Sequence, residues 1–409
     1  MKQNNVLIIG GGASGLAAAI VAARRGAQVT LLERGDRVGK KLLATGNGRC
    51  NLANLSAPVY FGDSDFAAQV LRHMPVSRVL DFFSDIGLPT RADASGRVYP
   101  ACNQAAAVLD VLRAQLELLR VQVITQAEAR SLRRARDSWQ ARTSQGDFSA
   151  DRAVVCCGGL AAPKLGAANA YGLLTGLGCV LNQLAPALTP LETEKGPVKG
   201  LSGLRLPAIL TLCADGVPVA ATQGEALFAD YGISGVCAMQ LARDALNLLQ
   251  SGRGVTLYID FSPALGLGGY AMGHMEPQRP GLREKELSAW LDRRKKAQPG
   301  QDPLLGALPR LLRERLKNAP ARELPRMLCA YPLQVTGVRG FDQAQVTQGG
   351  IDPSCFDPAT MEHKRLRGLY ACGEILDVDG DCGGFNLQFA FASGLLAGAA
   401  AARIEEAYE

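Results

Sequence analysis

The run VLIIGGGASGLAAAIVAARRGAQVTLLE, residues 6–33, restricts what this chain can fold into more than any other stretch. Residues 6–9 are apolar enough for a buried strand, and Ser14–Arg25 is alanine-rich and helix-forming. Gly26 ends that helix, and QVTLLE reads as a second strand, so a βαβ unit fills the first 33 residues. Between strand and helix, Gly10, Gly12 and Gly15 match G-x-G-x-x-G, with Ala13 and Ser14 inside the pattern. Glycines there permit a tight turn and a close backbone approach to a pyrophosphate, which the positive end of the helix attracts. Glu33 lies eighteen residues after Gly15, at the end of the second strand, where a carboxylate accepts both ribose hydroxyls of an adenosine. A dinucleotide is therefore expected. NAD and FAD share this fingerprint, whereas an acid at 33 would repel the 2′-phosphate of NADP. Arg34 is placed in the same site.

The next informative stretch is LLATGNGRCNLAN, residues 42–54, preceded by Lys40 and Lys41. It has too much glycine for a helix and too many donors for an ordinary turn. The amides of Gly46, Asn47, Gly48, Arg49, Cys50 and Asn51, with Lys41, are expected at a diphosphate or flavin edge, and Arg49 would add charge-assisted bonds. Cys50 reads first as a small buried packing residue and second as a redox thiol or a flavin attachment point, and no resolving cysteine is spaced beside it.

Further along, residues 64–86 and 104–120 read as helices, 121–125 and 139–143 as short strands, and RAVVCCGG at 152–159 as a core strand opening into a glycine loop. From about 185 the texture changes to prolines 186, 190, 197, 207 and 218 between alternating strands, and 280–328 is charged, with two helices joined at AQPGQDP. Strand character returns at GLYACGE, followed by a glycine loop through Gly384 and a helix from about Asn386 to Glu405. At 409 residues the chain exceeds a single core of about 250–300 residues. The expected organisation is a discontinuous domain, 1–185 with 343–409, interrupted by a β-rich part at 186–278 and a basic helical part at 279–342.

Composition narrows the chemistry. Three histidines, at 73, 274 and 363, show no triad or ligand spacing, which disfavours a histidine-based hydrolase. Eleven scattered cysteines without a C-x-x-C pair read as free thiols of a reducing cytoplasm, and no metal is expected. No signal peptide or membrane-length apolar run is read, so the expected setting is soluble and cytoplasmic. The net charge of +6 is local: residues 279–326 hold thirteen Lys/Arg against six Asp/Glu, a surplus of seven that leaves about −1 elsewhere.

The run GKKLLATGNGRCNLAN resembles the hallmark of the BaiN-like (aminoacetone-oxidase-like) family of NAD(P)/FAD-dependent oxidoreductases. The resemblance continues through GRVYP at 96–100, GEALFADYGISG at 224–235, VTQGGI at 346–351 and GLYACGEILDVDGDCGGFNLQFAFASG at 368–394, essentially the whole chain. It implies an α/β fold, a Rossmann-like FAD domain of the two-dinucleotide-binding flavoprotein type, whose C-terminal block completes the flavin site. Gly373, Gly384 and Phe385 are expected there, with Asn386, Leu387 and Gln388 at the ring and Glu374, Asp377 or Asp379 toward the ribityl chain, and Ala129 and Gly158 complete the cofactor set. Two departures are CCGGLAAPKLGAANAYG at 156–172, where the family more often has an ATGG-type strand end and a Gly-Ser-Thr-Gly-Asp-Gly loop, and YGISGVCAM in place of GPA after GISG.

The resulting expectation is an FAD-dependent oxidoreductase acting on a small organic molecule, an unsaturated ketone or an amine by family analogy. Electrons pass through flavin N5, with transiently docked NAD(P)H or dioxygen completing turnover. Arg49, Arg97, Tyr99, Tyr231 and Phe385 are candidate pocket residues, and no catalytic residue is assigned. The alternatives are an FAD-carrying RNA-binding or RNA-modifying protein, motivated by the basic segment, and a flavin-binding protein without turnover. Nucleic acid is disfavoured because the charges mix with Glu at helical spacing and only Trp290 interleaves them.

Overall fold

A computed structural model describes residues 4–165, 169–267, 273–317 and 319–403. The chain divides into two compact units, 1–185 with 346–409, and 186–345.

The first unit is built on parallel strands β1 (Asn5–Ile9), β2 (Gln28–Leu32), β3 (Gln122–Ile124), β4 (Arg152–Val155) and β5 (Leu369–Ala371), hydrogen-bonded in the order β3-β2-β1-β4-β5. Val6 to Ile9 are at most 2% exposed, the continuous apolar run of a parallel strand covered on both faces. Strand order reverses between β1 and β4, the place where open α/β sheets hold ligands beyond the strand ends. Register aligns those ends: Ile9 pairs with Leu32 and Val155, and Val155 with Ala371. Gly10, Glu33, Cys156 and Cys372 therefore leave the sheet at one edge.

Helix α1 (Ala13–Arg24) joins β1 to β2, α2 (Ala105–Leu118) lies in the β2-to-β3 connection, and α3 (Phe385–Ala401) follows β5. Expected residue Glu405 lies outside the described residues. Helices α1 and α3 touch backbone to backbone. A Cβ on Gly394 would sit 2.3 Å from the Ser14 carbonyl oxygen, and one on Gly398 2.3 Å from that of Ala18.

The 64–86 segment, read from sequence as one helix, is two, Ser64–His73 and Val76–Asp85. Pro75 excludes the α conformation from its predecessor, and Met74 sits at φ −133, ψ 74. The expected strand near 139–143 is the middle one of a three-stranded antiparallel sheet, Ala129–Ala135, Ser138–Thr143 and Gly146–Ala150. Trp139, 1% exposed, anchors it by donating its indole N–H to the Arg367 carbonyl at 3.2 Å.

In the second unit six antiparallel strands close on themselves in the order Arg205–Ala214, Val255–Asp260, Tyr331–Val338, Leu191–Thr193, Gly232–Ser234 and Val217–Ala229, the last pairing back to the first. Closure removes exposed edges. The basic helices expected over 279–342 do not stand apart: Tyr331–Val338 is a strand of this sheet, and Leu287, Leu291, Leu312, Leu316 and Leu328 join its core. Among the described residues no helix is long and apolar enough to cross a membrane.

Because the atoms facing Gly398 are backbone and cannot rotate away, Gly398→Val should lower stability by about 1–3 kcal/mol, measured by denaturant unfolding.

Candidate dinucleotide site

At the sheet edge, Gly10 turns the chain with φ +114, and a Cβ there would meet the Cys156 carbonyl oxygen at 2.4 Å. Gly15 is as constrained, its Cβ position lying 1.9 Å from the Gly10 oxygen. The space beside Gly12 is open, and no side chain caps α1. The amides of Gly12, Ala13, Ser14 and Gly15 at this helix start have no intrahelical acceptor, so they form a donor cluster suited to an anion.

Glu33 flanks that cluster. Its Oε2 accepts the Gly11 N–H at 2.9 Å and its Oε1 the Gly35 N–H at 2.6 Å. Each oxygen keeps a lone pair, so the carboxylate is oriented without being saturated. Arg34 is exposed and pairs with Glu128 at 3.7 Å. The Glu33 carbonyl accepts the Ala127 N–H at 2.9 Å, and Ala129, expected at the cofactor, pairs with Thr143 in the antiparallel sheet.

In the 45–50 turn Gly46, Asn47, Gly48 and Cys50 all have positive φ, the left-handed conformations that the glycines favour. Some expected donors are spent internally: the Arg49 N–H on the Gly46 carbonyl at 3.2 Å, and the Cys50 N–H on that of Thr45 at 2.9 Å. The Arg49 guanidinium lies over Tyr99, 4.8 Å from the ring centre. Cys50 is fully buried, and that burial pushes its thiol up to about 12, which fits packing rather than redox chemistry.

The C-terminal block folds onto this turn. The Asn54 N–H donates to Gln388 Oε1 at 3.0 Å, and Asn54 Nδ2 to the Gly383 carbonyl at 2.9 Å. A Cβ on Gly384 would lie 2.6 Å from both Asn51 Oδ1 and the Ala53 oxygen. Asn386 is bound to Gly380 in both directions, at 2.8 and 2.7 Å, and Tyr60 donates to the Phe385 carbonyl at 2.8 Å. The side chains of Asn386 and Gln388 thus hold the loop, while the backbone start of α3 at Phe385, Asn386 and Leu387 supplies donors without intrahelical partners. Asn51 Oδ1 is buried without a hydrogen-bond partner, a polar atom that a bound group would satisfy.

A Cβ on Gly373 would lie 2.5 Å from Ser14 Oγ, which ties the end of β5 to the start of α1. Glu374 pairs with Lys41 at 2.7 Å and accepts the Thr347 N–H at 2.9 Å. Asp379 is buried, Gly158 has positive φ beside open space, and Asp377 accepts from Asn182 at 2.7 Å. Arg97 donates its N–H to Asp93, and Tyr231, in the second unit, lies under Arg339 at 5.0 Å. A residue the sequence reading passed over is Thr347 of VTQGGI, whose Oγ1 accepts the N–H groups of Leu160 and Ala161 at 2.8 and 3.0 Å and so shapes the loop after β4.

Removing that acceptor strands two amides. Thr347→Val should cost about 1–3 kcal/mol in denaturant unfolding, with Thr347→Ser retaining most of the stability. Cys50 should resist iodoacetamide at pH 8 in the folded protein while exposed Cys102 is labelled, read by peptide mass mapping.

The chain is 37% identical to a 3-dehydro-bile acid delta(4,6)-reductase of Clostridium scindens, over 98% of this chain and 99% of that one. It is 26% identical to a ribosomal RNA dihydrouridine synthase of Escherichia coli, over 96% of each. Among solved structures, a 3-ketosteroid-delta4-(5alpha)-dehydrogenase from Rhodococcus jostii in complex with 4-androstene-3,17-dione aligns with TM-score 0.49 at 16% identity, over 98% of this chain and 97% of that one. The family described as HI0933-like protein Rossmann domain matches residues 4–400, nearly the whole chain, and this protein belongs to that family.

Proposed function

We propose that this protein is an FAD-dependent oxidoreductase that reduces a carbon–carbon double bond conjugated to a carbonyl in a small organic substrate. The observation that carries the cofactor assignment is Glu33, held by two amides beside the open helix start of α1. Its free lone pairs suit the adenosine ribose, and the amides from Gly12 to Gly15 suit the pyrophosphate. The 45–51 turn and the start of α3 would border the flavin, with Lys41 and Glu374 toward the ribityl chain. Bound there, FAD supplies hydride transfer at N5. The chain itself orients, excludes water and fixes charge, which needs few titrating side chains.

The substrate class rests on the names of two relatives. One is a delta(4,6)-reductase of a 3-dehydro bile acid. The other makes dihydrouridine, the product of saturating the uracil double bond beside a carbonyl. Both reactions add two electrons and two protons to an electron-poor alkene. NAD(P)H is the electron source proposed, docking transiently because the chain carries one G-x-G-x-x-G after a strand. A cytoplasmic setting is part of the same proposal.

A second reading, RNA modification, is favoured by the 26% identical relative and by the exposed cations Lys285, Arg293, Lys295 and Lys296. Against it, several neighbouring cations are engaged internally: Arg294 on the Pro303 and Leu305 carbonyls, Arg313 on Asp302 and Arg310 on Glu314.

The purified protein should show a flavin absorbance spectrum, and NADPH or NADH should bleach it anaerobically. A conjugated cyclic enone should restore the colour; if uridine-containing ribosomal RNA restores it and enones do not, the second reading stands. A protein that stays colourless after incubation with FAD refutes both. Glu33→Gln, which keeps shape but loses charge, should weaken FAD binding about 10-fold or more, measured by flavin fluorescence titration.

A further inference from the structure

Away from the α1 start, Cys179 and Cys355 bring their sulfurs to 4.0 Å although 176 residues separate them in sequence. Backbone pairing holds them there. Asn182 donates its N–H to the Gly350 carbonyl at 2.8 Å, and Asp352 donates to that of Val180 at 2.9 Å, so the two segments run side by side. Cys355 closes the short turn Pro353–Cys355, which Asp352 caps by accepting the Ser354 N–H at 2.8 Å. Cys179 is buried and Cys355 is half-buried.

His363 completes a group whose ligand atoms all lie within 4.8 Å of one another, which raises a metal as the rival. The ring's hydrogen bonds oppose it. Nδ1 accepts the N–H groups of Arg365 and Leu366 at 3.1 and 3.0 Å, and burial holds the imidazole's pKa below its ordinary value. A neutral ring accepting at Nδ1 carries its proton on Nε2, so neither nitrogen offers a free lone pair. Two thiols remain, too few for a stable metal site.

We propose that Cys179 and Cys355 form a reversible disulfide by exchange with low-molecular-weight disulfides. The shared thiol hydrogen bond lowers the Cys355 pKa and raises that of Cys179, whose burial acts in the same direction, so the more accessible sulfur is the nucleophile. The Cys355 thiolate attacks one sulfur of the small disulfide, breaking its S–S bond and releasing one thiolate. Cys179 then gives up its proton, attacks the Cys355 sulfur in the mixed disulfide and expels the second thiolate. The protein loses two protons and two electrons, which the small disulfide takes up in becoming two thiols. Bond formation brings the sulfurs from 4.0 Å to about 2.05 Å. The bond would staple the Gly350–Asp352 segment, which pairs through Ile351 with Ile375, next to Glu374.

The test treats the full-length protein, as purified with its flavin, with hydroxyethyl disulfide, followed by alkylation and peptide mapping. A linked 179–355 peptide two hydrogens lighter than its reduced parts, reversed by dithiothreitol, is the expected result. Cys179→Ser should leave Cys355 trapped as the mixed disulfide. Two outcomes overturn the proposal. One is that both thiols remain alkylatable under conditions that modify exposed Cys102. The other is that the purified protein holds stoichiometric zinc whose removal is required before either thiol reacts.

Discussion

The first unit depends on the direct seating of its last helix on its first. Gly394 and Gly398 let α3 meet the Ser14 and Ala18 carbonyls with no side chain between them. Neither helix could approach so closely with a Cβ at those positions, and α3, buried along most of its length, has no amphipathic face with which to sit on a surface. The contact brings residues from opposite chain ends to the edge where β1 and β4 diverge.

From that seating follows the arrangement of donors at the candidate site. Two helix starts, those of α1 and α3, lack side-chain caps, and several polar side chains near them hold backbone groups in place. Gln388 and Asn54 join the C-terminal loop to the turn after Asn51, Thr347 holds the loop after β4, and Glu33 is oriented by Gly11 and Gly35. Fixed amides stabilise an anionic ligand without reorganisation when it binds. Such a site needs little from titrating side chains, which agrees with the scarcity of histidine.

The parts of this design carried by local chemistry could be read in advance. Gly10, Gly12 and Gly15 followed by Glu33 announce a βαβ turn because the spacing of a strand, a helix and a second strand is covalent. The positive φ values at Gly46 and Gly48 likewise follow from residue type. Other features escaped. Pro75 splits a helix that periodicity alone makes continuous, and Thr347 reaches a loop that gives no hint of its partner. The amides of Arg49 and Cys50 are spent within their own turn, which only its folded geometry reveals.

By itself the sequence determined the α/β class, the glycine turn and the acid that follows it, because each rests on short-range sterics and the periodicity of burial. Tertiary structure decided which distant atoms meet: Lys41 with Glu374, Asn51 with Gly384, Cys179 with Cys355. Those pairings span well over a hundred residues, and no local preference encodes them. They arise when the parallel sheet, with β5 at its edge, draws the ends of the chain together and α3 rests on α1 through Gly394 and Gly398.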